Sequence, residues 1–111
     1  MEKALKYETA LLSFLKDYAP IVPHGWKNVR NQILVDRENK HYQLVRVGWH
    51  EDKRIHYVVF HFDIVGDKVW IQQNRTDLPV VEELEDLGIP EEDVVLGFWK
   101  PSWKGAERAF A

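Results

Sequence analysis

The chain contains no cysteine, which excludes disulfides, thiolate nucleophiles and cysteine-held metal sites. Such a composition suits a reducing compartment, so a cytoplasmic location is expected. There is also no apolar run approaching the roughly 18–20 residues that a membrane-spanning helix needs. Met1 is followed by Glu2, Lys3 and an amphipathic stretch rather than a signal-peptide core. The six glycines are scattered singly, with neither G-x-G-x-x-G nor a Walker-type run, so no phosphate cradle is indicated. Hydroxyl nucleophiles are scarce: Ser13 falls in a helical pattern and Ser102 in the tail, and no glycine elbow surrounds either. No catalytic residue, metal site or cofactor is expected.

What is present is a single domain over residues 1–111, long enough to bury roughly two thirds of its unfolded surface. From about Glu2 to Tyr18, apolar residues Ala4, Tyr7, Leu11, Phe14, Leu15 and Tyr18 recur at three- and four-residue spacings, the stripe of an amphipathic helix. Pro20, Pro23 and Gly25 end it. The period then changes to two, with one strand carrying Val29, Asn31, Ile33 and Val35 on one face, a second over "HYQLVRVGWH", a third over "RIHYVVFHFDIV" and a fourth from Lys68 to Gln73. Short links, including Gly66-Asp67 where a tight hairpin needs positive φ, favour an antiparallel meander. A second helix follows, with Asp77 as N-cap, Pro79 in the first turn, and Gly88 and Ile89 closing it. Val94 to Phe98 reads as a short last strand, with Trp99, Trp103 and Phe110 as further apolar anchors. The expected fold is α+β: a mainly antiparallel sheet of four or five strands, the N-terminal helix on one face and a second short helix after the fourth strand.

The second strand would present Tyr42, Leu44, Arg46 and Gly48 to one side and His41, Gln43, Val45, Val47 and Trp49 to the other. Large side chains on both faces call for cover on both. Two short helices do not supply that much cover, so a homodimer or larger symmetric assembly is expected.

Charge divides along the chain. Residues 1–76 carry 12 Lys and Arg against 9 Asp and Glu, whereas residues 77–99 carry 8 acids and no base. A net charge of −3 and a pI near 5.9 disfavour autonomous duplex binding. The candidate partner or nucleic-acid surface is Arg30, Arg37, Lys40, Arg46 and Arg54. The candidate acidic docking face for a basic partner is Glu82, Glu83, Glu85 and Asp86. Tyr42, Tyr57 and Trp70 would stack bases if they shared an exposed sheet face, although filling a core is the simpler reading. His61 and Asp63 point to one face of the third strand, with His56 expected on the opposite face. They are two ligands of a potential polar or metal site for which spacing assigns no third, and a hydrogen-bonded sheet pair is the simpler reading.

Three blocks, "DRENKHYQLVRVGW", "HFDIVGDKVWIQ" and "ELEDLGIPEEDVVLGF" followed by Pro101, resemble in order and interval the XisI family, the cyanobacterial fdxN element excision controlling factors. The tail departs from the family pattern: Phe110 and Ala111 match its close, Lys104 or Arg108 must stand for an arginine, and the threonine is absent. The resemblance implies a noncatalytic supporting role in site-specific excision of a DNA element during heterocyst differentiation. It also implies a recombinase or a small nuclease-like factor as protein partner. A direct DNA-binding accessory factor is the alternative, and a small ligand-binding or metal-dependent enzyme domain is a third reading.

Overall fold

The computed structural model describes residues 2–100. The elements run α1 (Glu2–Tyr18), β1 (Asn28–Asp36), β2 (His41–His50), β3 (Lys53–Val65), β4 (Lys68–Asn74), α2 (Val80–Asp86), a 3₁₀ turn (Glu91–Asp93) and β5 (Val94–Leu96). The strands form one sheet in the order β1-β2-β3-β4-β5. The first four pair antiparallel and β5 pairs parallel to β4. The α+β expectation holds, with the parallel fifth strand reached through the α2 crossover. Trp103 and Phe110 lie outside the described residues.

Turn chemistry sets the hairpins. Asp36 accepts hydrogen bonds from the backbone and side chain of Asn39, and Lys40 turns the chain at φ 59°. Between β2 and β3 the turn is only Glu51 and Asp52, with Lys53 already in β3. Gly66 takes φ 62° at the β3–β4 turn, as expected. Asp77 does not cap α2: the N-cap is Pro79, without a side-chain hydrogen bond. Thr76 Oγ1 instead accepts from Leu78 N. The C-terminal end closes as expected, with Ile89 N donating to Leu84 O and Gly88 N to Glu85 O, a Schellman pair around Gly88 at φ 102°.

The helices and the sheet bury one core. Tyr7, Leu11, Phe14 and Leu15 of α1 pack on Tyr42, Leu44, Phe60, Phe62 and Ile64, with Val80 and Leu84 of α2 joining them. Phe14 meets Phe60 edge-on at 5.0 Å and Tyr18 meets Phe60 at 4.9 Å, geometries in which the positive ring edge faces the negative ring face. Among the described residues, no helix layer covers the opposite face of the sheet. Its alternate residues include Gln43, Val45, Val47 and Trp49 of β2, with Trp49 50% exposed.

Two bulges control which side chain faces where. Leu44 pairs with Phe60 and Val45 with Val58, leaving Val59 as an extra residue. Val59 and Phe60 are therefore both buried in succession. The parity change puts His56, opposite Val47, on the same face as His61, opposite Gln43. This corrects the expectation from simple alternation, which separated them. On β4, Gln72 is the extra residue between the pairs His61–Gln73 and Phe62–Ile71.

Candidate functional site

The basic residues predicted to share a surface do not share one. Arg37 and Lys40 lie in the β1–β2 turn, while Arg30 and Arg54 lie near the other end of the sheet, where they line a depression with Lys27 and Gly48. Arg54 also stands over Trp49, 5.6 Å from the ring centroid. Arg46 is 6% exposed and faces the helices.

If Arg46 is buried, a carboxylate partner is expected, yet neutral groups hold it. Its Nε donates to Asn31 Oδ1 (2.9 Å), one terminal nitrogen to Tyr57 OH (3.1 Å), and the other to Ile21 O (3.2 Å) and Tyr18 OH (3.5 Å). Asn31 in turn donates to Ala19 O and Ile21 O. The cation thus ties the segment that follows α1, and the Tyr18 side chain at the end of the helix, to β1, β2 and β3.

Asp93 is the complementary buried charge at the other end of α1. It accepts a short hydrogen bond from Tyr7 OH and ion pairs from Lys3 Nζ (2.9 Å) and Lys68 Nζ (3.0 Å). These donors hold its carboxyl well below the usual carboxylate range. Burial, with the Asp93 hydrogen bond second, pushes the Tyr7 phenol up to about 12. Arg46 and Asp93 are therefore structural charges anchoring the two ends of one helix.

Tyr42 is fully buried, with its hydroxyl donating to Glu8 Oε2 (2.6 Å), and Tyr57 is half-buried on the helix side. Trp70 lies on β4 opposite Asp63. The three aromatics do not form one stacking platform.

The pair His61 and Asp63 gains a third member. The β2–β3 register sets His41 opposite Asp63. His41 Nδ1 lies 2.6 Å, and His61 Nε2 2.8 Å, from the same Asp63 Oδ1. Gln72, the bulge residue of β4, donates to Asp63 Oδ2 at 3.1 Å. Burial pushes the Asp63 carboxyl up, but the hydrogen bonds from His41, His61 and Gln72 outweigh it and leave the group below its ordinary value. The Asp63 hydrogen bond raises the His41 imidazole.

The acidic residues line a different feature. Glu82, Glu85 and Asp86 are exposed on α2 and Glu83 is half-buried. Glu83 and Asp86, with Asp17 of α1, rim a groove between the C-terminal end of α1 and α2. Its floor is Phe14, Tyr18, Ile21, Leu78 and Leu87. The charge run in the sequence signals this rim, but the apolar floor depends on how α1 and α2 meet.

No helix among the described residues is long and apolar enough to cross a membrane. No curated protein matches the chain. Among solved structures, the chain is 41% identical to a XisI-like protein from Anabaena variabilis ATCC 29413, covering 88% of this chain and 89% of that one with a TM-score of 0.80. It is 28% identical to the fdxN element excision controlling factor XisI from the same organism, covering 93% and 99% of the two chains with a TM-score of 0.75. The family model described as XisI protein matches residues 1–110. With sequence blocks, fold and family model in agreement, the chain belongs to the XisI family.

Proposed function

We propose that the chain is a noncatalytic accessory protein of DNA-element excision that acts by binding a basic surface on a nuclease-like or recombinase partner. One observation carries this reading: the α1–α2 groove joins an apolar floor of Phe14, Tyr18, Ile21, Leu78 and Leu87 to an acidic rim of Asp17, Glu83 and Asp86. Enzymes that handle DNA carry basic surfaces, and such a rim attracts a basic segment while the floor supplies apolar burial. The name of the 28% identical relative, an excision controlling factor, supports the process. A noncatalytic role agrees with the placement of the hydroxyls: Thr9 donates to Leu5 O within α1, and Thr76 is engaged with Asn74.

The apolar strip of Val47, Trp49 and Val58 on the open face is assigned to a second copy of the chain, since identical chains most often pair about a two-fold axis. The test of the partner reading is a pull-down from the native host with the full chain, compared with Glu83→Lys/Asp86→Lys. Capture of a nuclease-like or recombinase protein by the parent chain and its loss in the variant is the expected result. Capture that survives the charge reversal overturns the groove as the docking site.

A second reading, direct DNA contact, rests on the depression shared by Lys27, Arg30 and Arg54. Steeply salt-dependent binding of duplex DNA by the isolated chain, lost in Arg30→Ala/Arg54→Ala, would move the function there.

A further inference from the structure

Two imidazoles and a carboxylate converge at the end of the open sheet face nearest the β1–β2 turn. His41 Nδ1, His61 Nε2 and an Asp63 carboxylate oxygen lie within 4.8 Å of one another. They project from directly paired or alternate positions of β2 and β3, so rigid sheet backbone rather than a loop sets their spacing. Gln72 holds the far carboxylate oxygen from β4. Beside the imidazoles a groove lined by Leu34, Val35, Asp36 and Gln43 opens to solvent.

We propose that His41, His61 and Asp63 form a three-ligand site for a divalent transition-metal ion, with zinc the best match, whose remaining coordination position faces this groove. The donor set is two nitrogens and one oxygen, which suits zinc and its neighbours, whereas magnesium and calcium prefer all-oxygen surroundings.

Metal entry requires both hydrogen-bonded contacts to open. Zinc holds nitrogen and oxygen ligands at about 2.0–2.2 Å, which puts tetrahedral donor atoms about 3.3 Å apart. The two imidazole–carboxylate separations are 2.6 and 2.8 Å, so they must open by about 0.7 and 0.5 Å to admit the ion. Without metal, both imidazoles must present N–H to one oxygen. With metal, the ion replaces both protons and the nitrogens bind through their lone pairs. The Gln72 amide then serves as the outer partner that orients the ligating carboxylate.

This site is separate from the α1–α2 groove and from the Trp49 end of the face. It is tested on the metal-free full chain by zinc titration against a chromophoric chelator, and by the visible spectrum of the cobalt(II)-loaded protein. The expected result is one ion per chain, a four-coordinate cobalt spectrum and a raised Tm. His41→Ala and Asp63→Asn should each weaken zinc by at least about tenfold, and Gln72→Leu by about tenfold. His24→Ala and His56→Ala should leave affinity unchanged. Because His41 is exposed, His41→Ala carries the test even where Asp63→Asn perturbs folding. Failure of zinc to compete with the chelator overturns the proposal. So does binding that His41→Ala leaves unaltered, because the ion would then sit on other histidines.

Discussion

The same strands build both faces of this sheet, and the two faces are used differently. On the helix side, Tyr42, Leu44, Phe60 and Phe62 are fully buried, and even the charges are fixed: Arg46 by four neutral acceptors and Asp93 by three donors. On the other side, Trp49 and Leu34 are each half exposed, and the polar residues cluster instead of dispersing. Covered side chains specify the fold, and uncovered ones remain available to bind. Arg46 and His41 are basic residues of one strand, yet alternation turns the first toward the helix-covered core and the second toward the open face.

The contrast can be broken most severely at Phe60. It contacts Phe14, Tyr18 and Phe62 at ring distance, and Phe60→Ala should cost about 4 kcal/mol in chemical denaturation, because these neighbours from α1 and β3 relax only partly into the void. Next is Gly48, at φ 150°, where an added Cβ would lie 2.1 Å from Asn28 O. That atom is backbone, so β1 itself would have to move. Gly48→Ala should destabilise by about 3 kcal/mol, and a variant within about 1 kcal/mol of the parent would show that the β1–β2 contact yields freely.

The buried carboxylate gives a pH test. Asp93 titrates lower when folded than when unfolded, so its contribution is complete above roughly pH 4 and is lost as pH falls through its depressed folded value. Asp93→Asn should flatten the acid limb of Tm against pH, and an undiminished limb would locate acid sensitivity in other carboxylates. The smallest effect on folding is expected at Trp49 on the open face: Trp49→Ala should change unfolding free energy by no more than about 0.5 kcal/mol. Light scattering should show a dimer for the parent chain and a monomer for the same variant, and a parent chain that is itself monomeric sinks self-association through this strip.

Much of the covered face could be read in the sequence. The helix stripe ending at Tyr18, the alternation of Tyr42, Leu44 and Arg46, and the closure at Gly88 are local patterns whose period or backbone demand is visible residue by residue. The candidate metal site was only half legible. His61 and Asp63 stand two apart on one strand, but continuing the register of His50 with Lys53 would set His41 opposite Phe62 and send it to the other face from them. The extra residue at Val59 shifts the pairing so that Asp63 meets His41, and a second extra residue brings Gln72 to Asp63.

The sequence by itself therefore determined the order and type of most elements, the family, and the separation of a basic-leaning body from an acidic segment. The elements and the charge division rest on periodicity, turn chemistry and composition, which act over a few neighbouring residues, and the family rests on the resemblance of three sequence blocks. Only the tertiary structure decided that β5 runs parallel, that Arg46 is a buried clamp without a carboxylate, that the predicted basic surface is divided, and that two histidines and an aspartate meet. These depend on strand register and on how α1 and α2 approach, and a single bulged residue reverses the face of every side chain beyond it.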